Sequence, residues 1–509
     1  MNAPRTYLTT TIPYVNARPH LGFALELVQA DVLARHRRLR GEQVRLLGGT
    51  DDNSLKNVLA AEAAGLEVAE FVDRNAAAFE ALHEPLAISL DDFIRTSRDP
   101  RHAAGVAALW RRCAAAGDLY RKHYEGLYCV GCEQFYTPGE LVDGRCAEHG
   151  TEPQTVAEEN WFFRLSRYTE PLRAAIAEGR LRIEPAARRN EVLALLDGGL
   201  HDFSISRSHT RARGWGIPVP GDPEQVVYVW WDALGNYLTG LGYGSEDRAF
   251  QDWWLGSERR VHLVGKGVLR FHAVYWPAML LSAGLPLPTD VLVHDYLTVD
   301  GRKISKSAGN VVDPTELVDR YGTDAVRWWL LREVAKVGDT DFTVERLVAR
   351  ADADLAGGLG NLVNRVVTMV HRYRDGRGPE LEPAPEPVGD ALLEVCRAAP
   401  GEVTAALDAY DFRRATAAAW RVLEAANRTI DQRRPWELAR SPESADLLDA
   451  TLATLLHACR TLAALLTPFV PQAARAVAAQ CTAGEDGRLP DPKPLFARLA
   501  VIKSGVVQG

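Results

Sequence analysis

An α/β fold followed by an all-α domain is what this chain predicts, and three features carry that reading. They are a strand–helix–strand unit within the first fifty residues, a return of apolar strand-like runs after residue 226, and a helical period that begins at about residue 344. The opening run Thr6-Tyr-Leu-Thr-Thr-Thr-Ile is β-branched and predicts a strand. A turn-rich stretch with Pro13 and Pro19 ends it, and a helical pattern runs from about Leu21 to Arg40. The apolar run Val44 to Gly48 completes a βαβ unit, whose loops at the strand C-terminal ends commonly bind nucleotides. No GxGxxG is present, so a dinucleotide is not expected. Ala-rich helical patterns fill about Asn53 to Ala116, and short Tyr-, Gly- and Cys-rich pieces through about Val156 read as an insertion. Strands are expected at Val226-Val-Tyr-Val-Trp, Val261-His-Leu-Val and Asp290-Val-Leu-Val, with a helix from Val268 to Ala283 between the last two. Asp300-Gly301 is a tight-turn signal that sets Lys303 just after a hairpin. From about Val344 to Gln480 the pattern is that of a helical bundle, broken by Pro379 to Pro387. Domains are therefore expected at 1–115 and 226–290 for the two halves of the α/β domain, 116–225 for the insertion, 291–343 for a linking fold and 344–509 for the bundle.

Composition narrows the function classes. With 47% hydrophobic and 25% charged residues, the 509-residue chain is neither largely disordered nor fibrous. Its 59 basic and 67 acidic residues give a net charge of −8, so any nucleic-acid contact must use local basic patches. The N-terminal residues lack an apolar segment with a cleavage site, and no run reaches eighteen apolar residues, which predicts a cytoplasmic enzyme with no membrane contact. The chain shows no appended C-terminal domain, and a monomer is expected. Seven cysteines are too few for a disulfide framework. Cys129-Val-Gly-Cys132 and Cys146-Ala-Glu-His149, thirteen residues apart, suit one tetrahedral zinc held by three thiolates and an imidazole. With all four positions filled by protein, that zinc is structural.

Two short segments point to phosphate chemistry. His20 and Gly22, in Pro19-His20-Leu21-Gly22-Phe23, sit at a helix start, where free N–H groups and the helix dipole favour an anion. Lys303-Ile304-Ser305-Lys306-Ser307 places two lysines three apart on a Ser-lined loop, suited to the shifting charge of a triphosphate.

In this order and separation the two segments resemble the HIGH and KMSKS signatures of class I aminoacyl-tRNA synthetases, which form aminoacyl-adenylates. The resemblance extends to the methionyl-tRNA synthetase family over nearly the whole chain. It is carried by Ile12-Pro-Tyr14, the Cys129 to His149 knuckle, Asn160-Trp-Phe-Phe, Arg189-Asn-Glu191, Ile205-Ser-Arg207, Tyr228-Val-Trp230-Trp-Asp232, Gly265-Lys266, Arg270-Phe-His272 and Trp276-Pro-Ala. It implies a split Rossmann catalytic domain with a zinc-knuckle connective insertion, a linking fold bearing the lysine loop, and a helical anticodon-binding domain. It also implies a ligase that uses ATP and Mg2+ to activate methionine, or a close analogue, and pass it to tRNA, with structural Zn2+. Residue by residue, the catalytic set is His20, Lys303 and Lys306, and the ATP-binding set is His20, Gly22, Gly265, Lys303, Ser305 and Lys306. The amino-acid set is Ile12, Tyr14, Asp51, Arg207, Trp230, Ala233, Leu234, Tyr237, Val268 and His272, with Asp51 on the ammonium group. Apolar and aromatic walls suit a polarizable thioether. Asn361, Arg365 and Trp436 match the anticodon-reading positions, and Cys129, Cys132, Cys146 and His149 the metal ligands.

Departures from the family gather around the catalytic pocket. Phe23 replaces the second histidine of the HIGH segment and donates no hydrogen bond, and the loss of one such donor costs about 3 to 4 kcal/mol in a transition state. Asp52-Asn53-Ser54 replaces Glu-His-Gly, Gly267 replaces an aspartate, and Asp295 replaces a glycine. Without the aspartate at 267, Arg207 is expected to be unpaired and to engage a substrate carboxylate. Two other functions are weighed on these grounds: a tRNA-independent ligase passing the activated amino acid to a small amine or hydroxylamine, and a non-catalytic tRNA-binding regulator.

Overall fold

The computed structural model describes residues 3–147, 150–245, 247–304, 309–380 and 390–501. The chain divides into two compact units, Met1–Glu84 with Ile88–Asp295, and Pro85–Ala87 with Tyr296–Gly509.

The first unit is built on a six-stranded parallel sheet in the order Asp92–Arg95, Gln43–Thr50, Arg5–Thr10, Arg259–Gly265, Asp290–His294, Arg182–Glu184. The chain leaves Arg5–Thr10 toward Gln43–Thr50 on one side, while the later strands stack on its other side. The switch point, where such sheets bind ligands beyond the strand C-terminal ends, lies between Arg5–Thr10 and Arg259–Gly265. The helix Leu21–Leu39 returns the chain from the first strand to the second and is buried along most of its length, from Leu21, Ala24, Leu25 and Val28 to Val32. His36, Arg37 and Arg38 in its last turn complement the negative end of the helix dipole.

Several segments differ from expectation. Asp92–Arg95 lies within the Ala-rich stretch read as helix, because a four-residue strand carries too little period-2 signal to stand out between two long helices. The run at Val226 is a strand only as far as Val227, and it pairs antiparallel with Ser206–Ser208 in a separate three-stranded sheet. Tyr228 caps the helix Val229–Thr239, so the aromatic residues that followed the apolar run belong to a buried helix. The segment read as an insertion, 116–225, supplies the parallel sheet's edge strand Arg182–Glu184 besides its own antiparallel sheet, Leu119–Cys129, Gln134–Tyr136, Gln154–Phe163 and Phe203–Ser204. The helix expected from Val268 to Ala283 does form without a break, opening as a tight 3-10 turn at Lys266–Val268, widening to a π-helical turn at Phe271–Tyr275 and continuing as α-helix at Trp276–Ser282.

In the second unit the hairpin Leu297–Val299 and Arg302–Lys303 forms as expected. Asp300 (φ 53°) and Gly301 (φ 69°) both occupy the left-handed region that a two-residue primed turn requires. The helices Val344–Arg350, Asn361–Arg374, Asp390–Asp408, Phe412–Arg433, Ala445–Leu466 and Pro471–Gln480 form the bundle. At its base the fully buried Arg327 donates to the carbonyls of Leu86, Pro468 and Phe469 at 2.8–2.9 Å, which satisfies a charge that burial would otherwise penalise.

Candidate active site

The strand Arg5–Thr10 ends by releasing Thr11–Tyr14 over the sheet's switch point, and Asp51 follows the neighbouring strand, bridged in parallel to Tyr14. A cavity of about 510 Å³ opens there. Eight side chains singled out in the sequence line it, Ile12, Tyr14, Trp230, Ala233, Leu234, Tyr237, Val268 and His272, together with Asp51. The helix Val229–Thr239 delivers four of them, because positions 230, 233, 234 and 237 recur on one face at helical spacing.

The walls are fixed by neighbours. Trp230 stacks on Phe271 at 3.6 Å between ring centroids, meets Tyr14 edge-on at 6.2 Å, and donates its indole N–H to the Cys132 carbonyl (3.4 Å). His272 donates Nδ1–H to the Val268 carbonyl (2.9 Å), which leaves Nε2 to accept from the Tyr237 hydroxyl (2.7 Å). Burial holds His272 down at about 4, so the imidazole is neutral at physiological pH, and burial likewise pushes the Tyr237 phenol up. The one carboxylate in this lining is Asp51, 2% exposed. Burial raises its pKa well above the usual carboxylate value, and the charges of Asp232, Glu133 and Asp52 raise it further, against one N–H from Asn53. A cation arriving in this cavity relieves a site that is electrostatically strained when empty.

Behind Asp51 lies a polar network that the sequence reading missed. Asn53 donates Nδ2–H to Asp232 Oδ2 (2.8 Å) and to the Thr96 carbonyl (3.3 Å). The other Asp232 oxygen receives Nε2–H of His102, whose Nδ1 meets the Thr239 hydroxyl at 2.7 Å. Asp52 is held by Arg95 (2.9 and 3.1 Å) and Ser97 (2.7 Å). No local motif joins residues 53, 102 and 232, so only the fold reveals the chain.

At the helix start, His20 caps Leu21–Leu39 in an extended conformation and accepts the Gly22 N–H on Nδ1 (3.1 Å), which makes Nε2 the ring's N–H. A side chain at Gly22 would stand 2.9 Å from the ring, so glycine is required for that fold-back. Phe23 is buried and packs edge-to-face on Phe79 at 5.2 Å. Gly265 ends the strand beside His294. His294 bonds Glu26 (2.9 Å); burial works against its charge, but Glu26 and Asp295 outweigh it and raise its pKa. Asp295 forms an ion pair with Arg188. Lys303 closes the hairpin with its ammonium 3.9 Å from the centroid of the Tyr296 ring, while Ser305 and Lys306 lie outside the described residues.

Arg207 corrects an expectation. It does not line the cavity that holds Asp51. It faces a separate one of about 390 Å³ with Asn53, Glu133 and Trp215, and its guanidinium lies 4.2 to 5.1 Å from the rings of Tyr228, Phe135 and Tyr128. Its Nη1 donates to the Ser204 hydroxyl and the Ser206 carbonyl. The strand Ser206–Ser208 turns it toward this aromatic box, which takes the place a carboxylate at 267 was expected to fill.

The Sγ atoms of Cys129, Cys132 and Cys146 lie within 4.8 Å of one another, and His149 lies outside the described residues. Tetrahedral Zn–S bonds of about 2.3 Å set sulfurs about 3.8 Å apart, so the three thiols fit one such ion. In the helical unit Asn361 begins Asn361–Arg374. Arg365, one turn on, bonds Asn427 (3.4 Å) and lies 3.9 Å from Asp431, both on Phe412–Arg433. Trp436, just beyond that helix, is 40% exposed.

A parallel sheet with its cavity at the switch point, a His-Leu-Gly helix start, a lysine-bearing hairpin and a helical bundle together define a class I aminoacyl-tRNA synthetase architecture. The family model described as tRNA synthetases class I (M) matches residues 6–146 and 131–367, and that of the anticodon binding domain of methionyl tRNA ligase matches 384–507. The chain belongs to the methionyl-tRNA synthetase family. It is 41% identical to the methionine–tRNA ligase of Caldanaerobacter subterraneus over 94% of this chain and 74% of that one, and 42% identical to that of Mycobacterium bovis over 92% and 90%. The Mycobacterium tuberculosis methionyl-tRNA synthetase in complex with methionyl-adenylate superposes with a TM-score of 0.92 at 39% identity, covering 97% of this chain and all of that one. Its apo form gives 0.85.

Proposed function

We propose that this chain activates methionine with ATP and transfers it to tRNA. The observation that carries the reading is a cavity whose apolar and aromatic walls close on one buried carboxylate, Asp51. The thioether lies against Trp230, Tyr237 and neutral His272, where sulfur–aromatic contact is favourable and no charge competes. The ammonium pairs with Asp51, which leaves the substrate carboxylate facing ATP. A carboxylate oxygen then attacks the α-phosphorus and pyrophosphate departs. A terminal ribose hydroxyl of tRNA next attacks the acyl carbonyl and releases AMP.

His20, Gly22, Gly265, Lys303, Ser305 and Lys306 hold the nucleotide, with the lysines carrying the charge of the leaving pyrophosphate. Mg2+ accompanies ATP, and no residue is assigned to it. Cys129, Cys132, Cys146 and His149 hold Zn2+ in a filled, structural site. Asn361, Arg365 and Trp436 read the anticodon by hydrogen bonding and stacking. Among the described residues no helix is long and apolar enough to cross a membrane; the chain works as a monomer in the cytoplasm. Neither a small-amine acceptor nor a non-catalytic role is favoured, given relatives of one activity across more than nine-tenths of the chain. The test is amino-acid-dependent ATP–pyrophosphate exchange across the common amino acids, followed by charging of methionine tRNA. Exchange with methionine and acid-labile methionyl-tRNA are expected; exchange without any charging would refute the transfer step.

A further inference from the structure

We propose that the cavity beside Arg207 is a binding site for a small monovalent oxyanion, a carboxylate or bicarbonate, separate from the cavity that holds Asp51. It measures about 390 Å³, and its lining includes Asn53, Tyr128, Glu133, Arg207, Arg211 and Trp215. Arg207 is 7% exposed and makes no ion pair among the described residues. Its Nη1 donates to the Ser204 hydroxyl (3.1 Å) and the Ser206 carbonyl (2.7 Å), whereas Nε and Nη2 are buried with no hydrogen-bond partner among the described residues. Those two nitrogens form one edge of the guanidinium, where their N–H groups point the same way and take both oxygens of one planar oxyanion. The rings of Tyr128, Phe135 and Tyr228 attract the cation but accept hydrogen bonds only weakly, so they leave that edge unsatisfied.

A second cation stands in the same lining. Arg211 bonds Glu158 through Nη1 (3.2 Å), and its Nη2 is buried without a partner among the described residues. Its guanidinium lies 4.1 Å from the centroid of the Tyr128 ring, which Arg207 meets at 5.1 Å, so two cations crowd one ring. Burial, and next the charge of Arg207, lower the Arg211 pKa. The other donors of this lining are committed. Asn53 donates to Asp232 and the Thr96 carbonyl, the Trp215 indole to the Asp52 carbonyl (2.8 Å), and the Tyr228 hydroxyl to the Glu133 carbonyl. The one carboxylate in the lining, Glu133, accepts the Lys56 backbone N–H (3.1 Å) and forms no ion pair with either arginine. Its charge disfavours a dianion such as sulfate or hydrogen phosphate. A halide offers one acceptor atom where the Arg207 edge presents two parallel donors, so a planar oxyanion of single charge fits best.

The test compares the Tm of the full chain in sodium formate, bicarbonate, chloride and sulfate at constant ionic strength, for wild type, Arg207→Lys and Arg211→Gln. Lysine keeps the charge at 207 and loses the paired edge. In wild type, formate or bicarbonate at about 50 mM should raise Tm by about 2 °C or more over chloride and sulfate, since a ligand that binds only the folded state stabilises it. That gain should vanish in Arg207→Lys and shrink by about half in Arg211→Gln. A larger gain from bicarbonate assigns the site to that ion, and a larger gain from formate assigns it to carboxylates. Crystals grown in formate should show a planar anion on the Nε and Nη2 edge of Arg207. If Arg207→Lys does not fold, Arg211→Gln and those crystals decide alone. A wild-type Tm indifferent to the choice of anion would overturn the site. So would a formate gain undiminished in the variants that fold, or water alone on the Arg207 edge in the formate crystals.

Discussion

In the amino-acid cavity the titratable groups are buried and two of them, His272 and Tyr237, are held neutral, whereas on the helical unit Trp436 is 40% exposed and Arg365 stands in reach of water. The cavity is a preorganised dry site, in which one carboxylate among apolar walls gains its strength from the low dielectric. The helical face holds planar and cationic groups in solvent, which suits the proposed recognition of a flexible nucleic acid by stacking and charge. The departures from the family fall on the cavity side, at Phe23, Asn53, Gly267 and Asp295, and the structure shows each absorbed locally. Phe23 packs on Phe79, Asn53 bridges Asp232 and Thr96, the aromatic box holds Arg207, and Asp295 pairs with Arg188. The absorption is incomplete, since Asp52 Oδ1 and the Nε and Nη2 of Arg207 stay buried without a hydrogen-bond partner among the described residues.

If the two regions act independently, variants divide cleanly between the half-reactions. The largest effect is expected from Asp51→Asn. Removing one partner of a buried charge pair costs about 2 to 5 kcal/mol, so activation should fall about a thousandfold in ATP–pyrophosphate exchange. The same variant should raise the Tm of the ligand-free protein at pH 7. Because the folded pKa of Asp51 lies above its unfolded value, its ionised form destabilises the fold at neutral pH, and that penalty fades as pH falls toward the unfolded pKa. A lower Tm would break this electrostatic account.

Trp436→Ala should leave exchange untouched and lower kcat/KM for tRNA about tenfold to a hundredfold, as expected for one stacked base. Loss of exchange in that variant would show that the two regions are coupled. Asn53→Ala strips a donor from buried Asp232, at about 1 to 3 kcal/mol, and should raise the methionine KM about tenfold with a smaller change in kcat. The smallest expected effect is that of metal removal. The Cys132 carbonyl anchors Trp230, so chelation should loosen that wall, raise the methionine KM severalfold and leave the tRNA Kd unmoved. Restoration by zinc in equivalent amount would complete the test.

Local patterns made a good part of this legible. The βαβ start, the Asp300-Gly301 hairpin and the bundle follow from periodicity and turn chemistry, and the knuckle follows from cysteine spacing. The cavity residues were named by family resemblance, since nothing local ties Ile12 to His272. Short strands escaped for lack of signal: Asp92–Arg95 and Arg182–Glu184 owe their state to the sheet edges they complete. Arg207 was placed with the substrate because its pairing was inferred from one missing aspartate, and sequence does not reveal an aromatic box assembled from residues 128, 135 and 228.

By itself the sequence determined which residue types are present and how nearby ones repeat: the helical period from about residue 344, the His-Leu-Gly helix start, and the metal-type Cys-x-x-Cys and Cys-x-x-His knuckles. Only the tertiary structure decided which distant groups share a dielectric. The raised pKa of Asp51, the Asn53–Asp232–His102 chain and the hold of Cys132 on Trp230 all arise because burial strengthens electrostatics between residues that the chain keeps far apart.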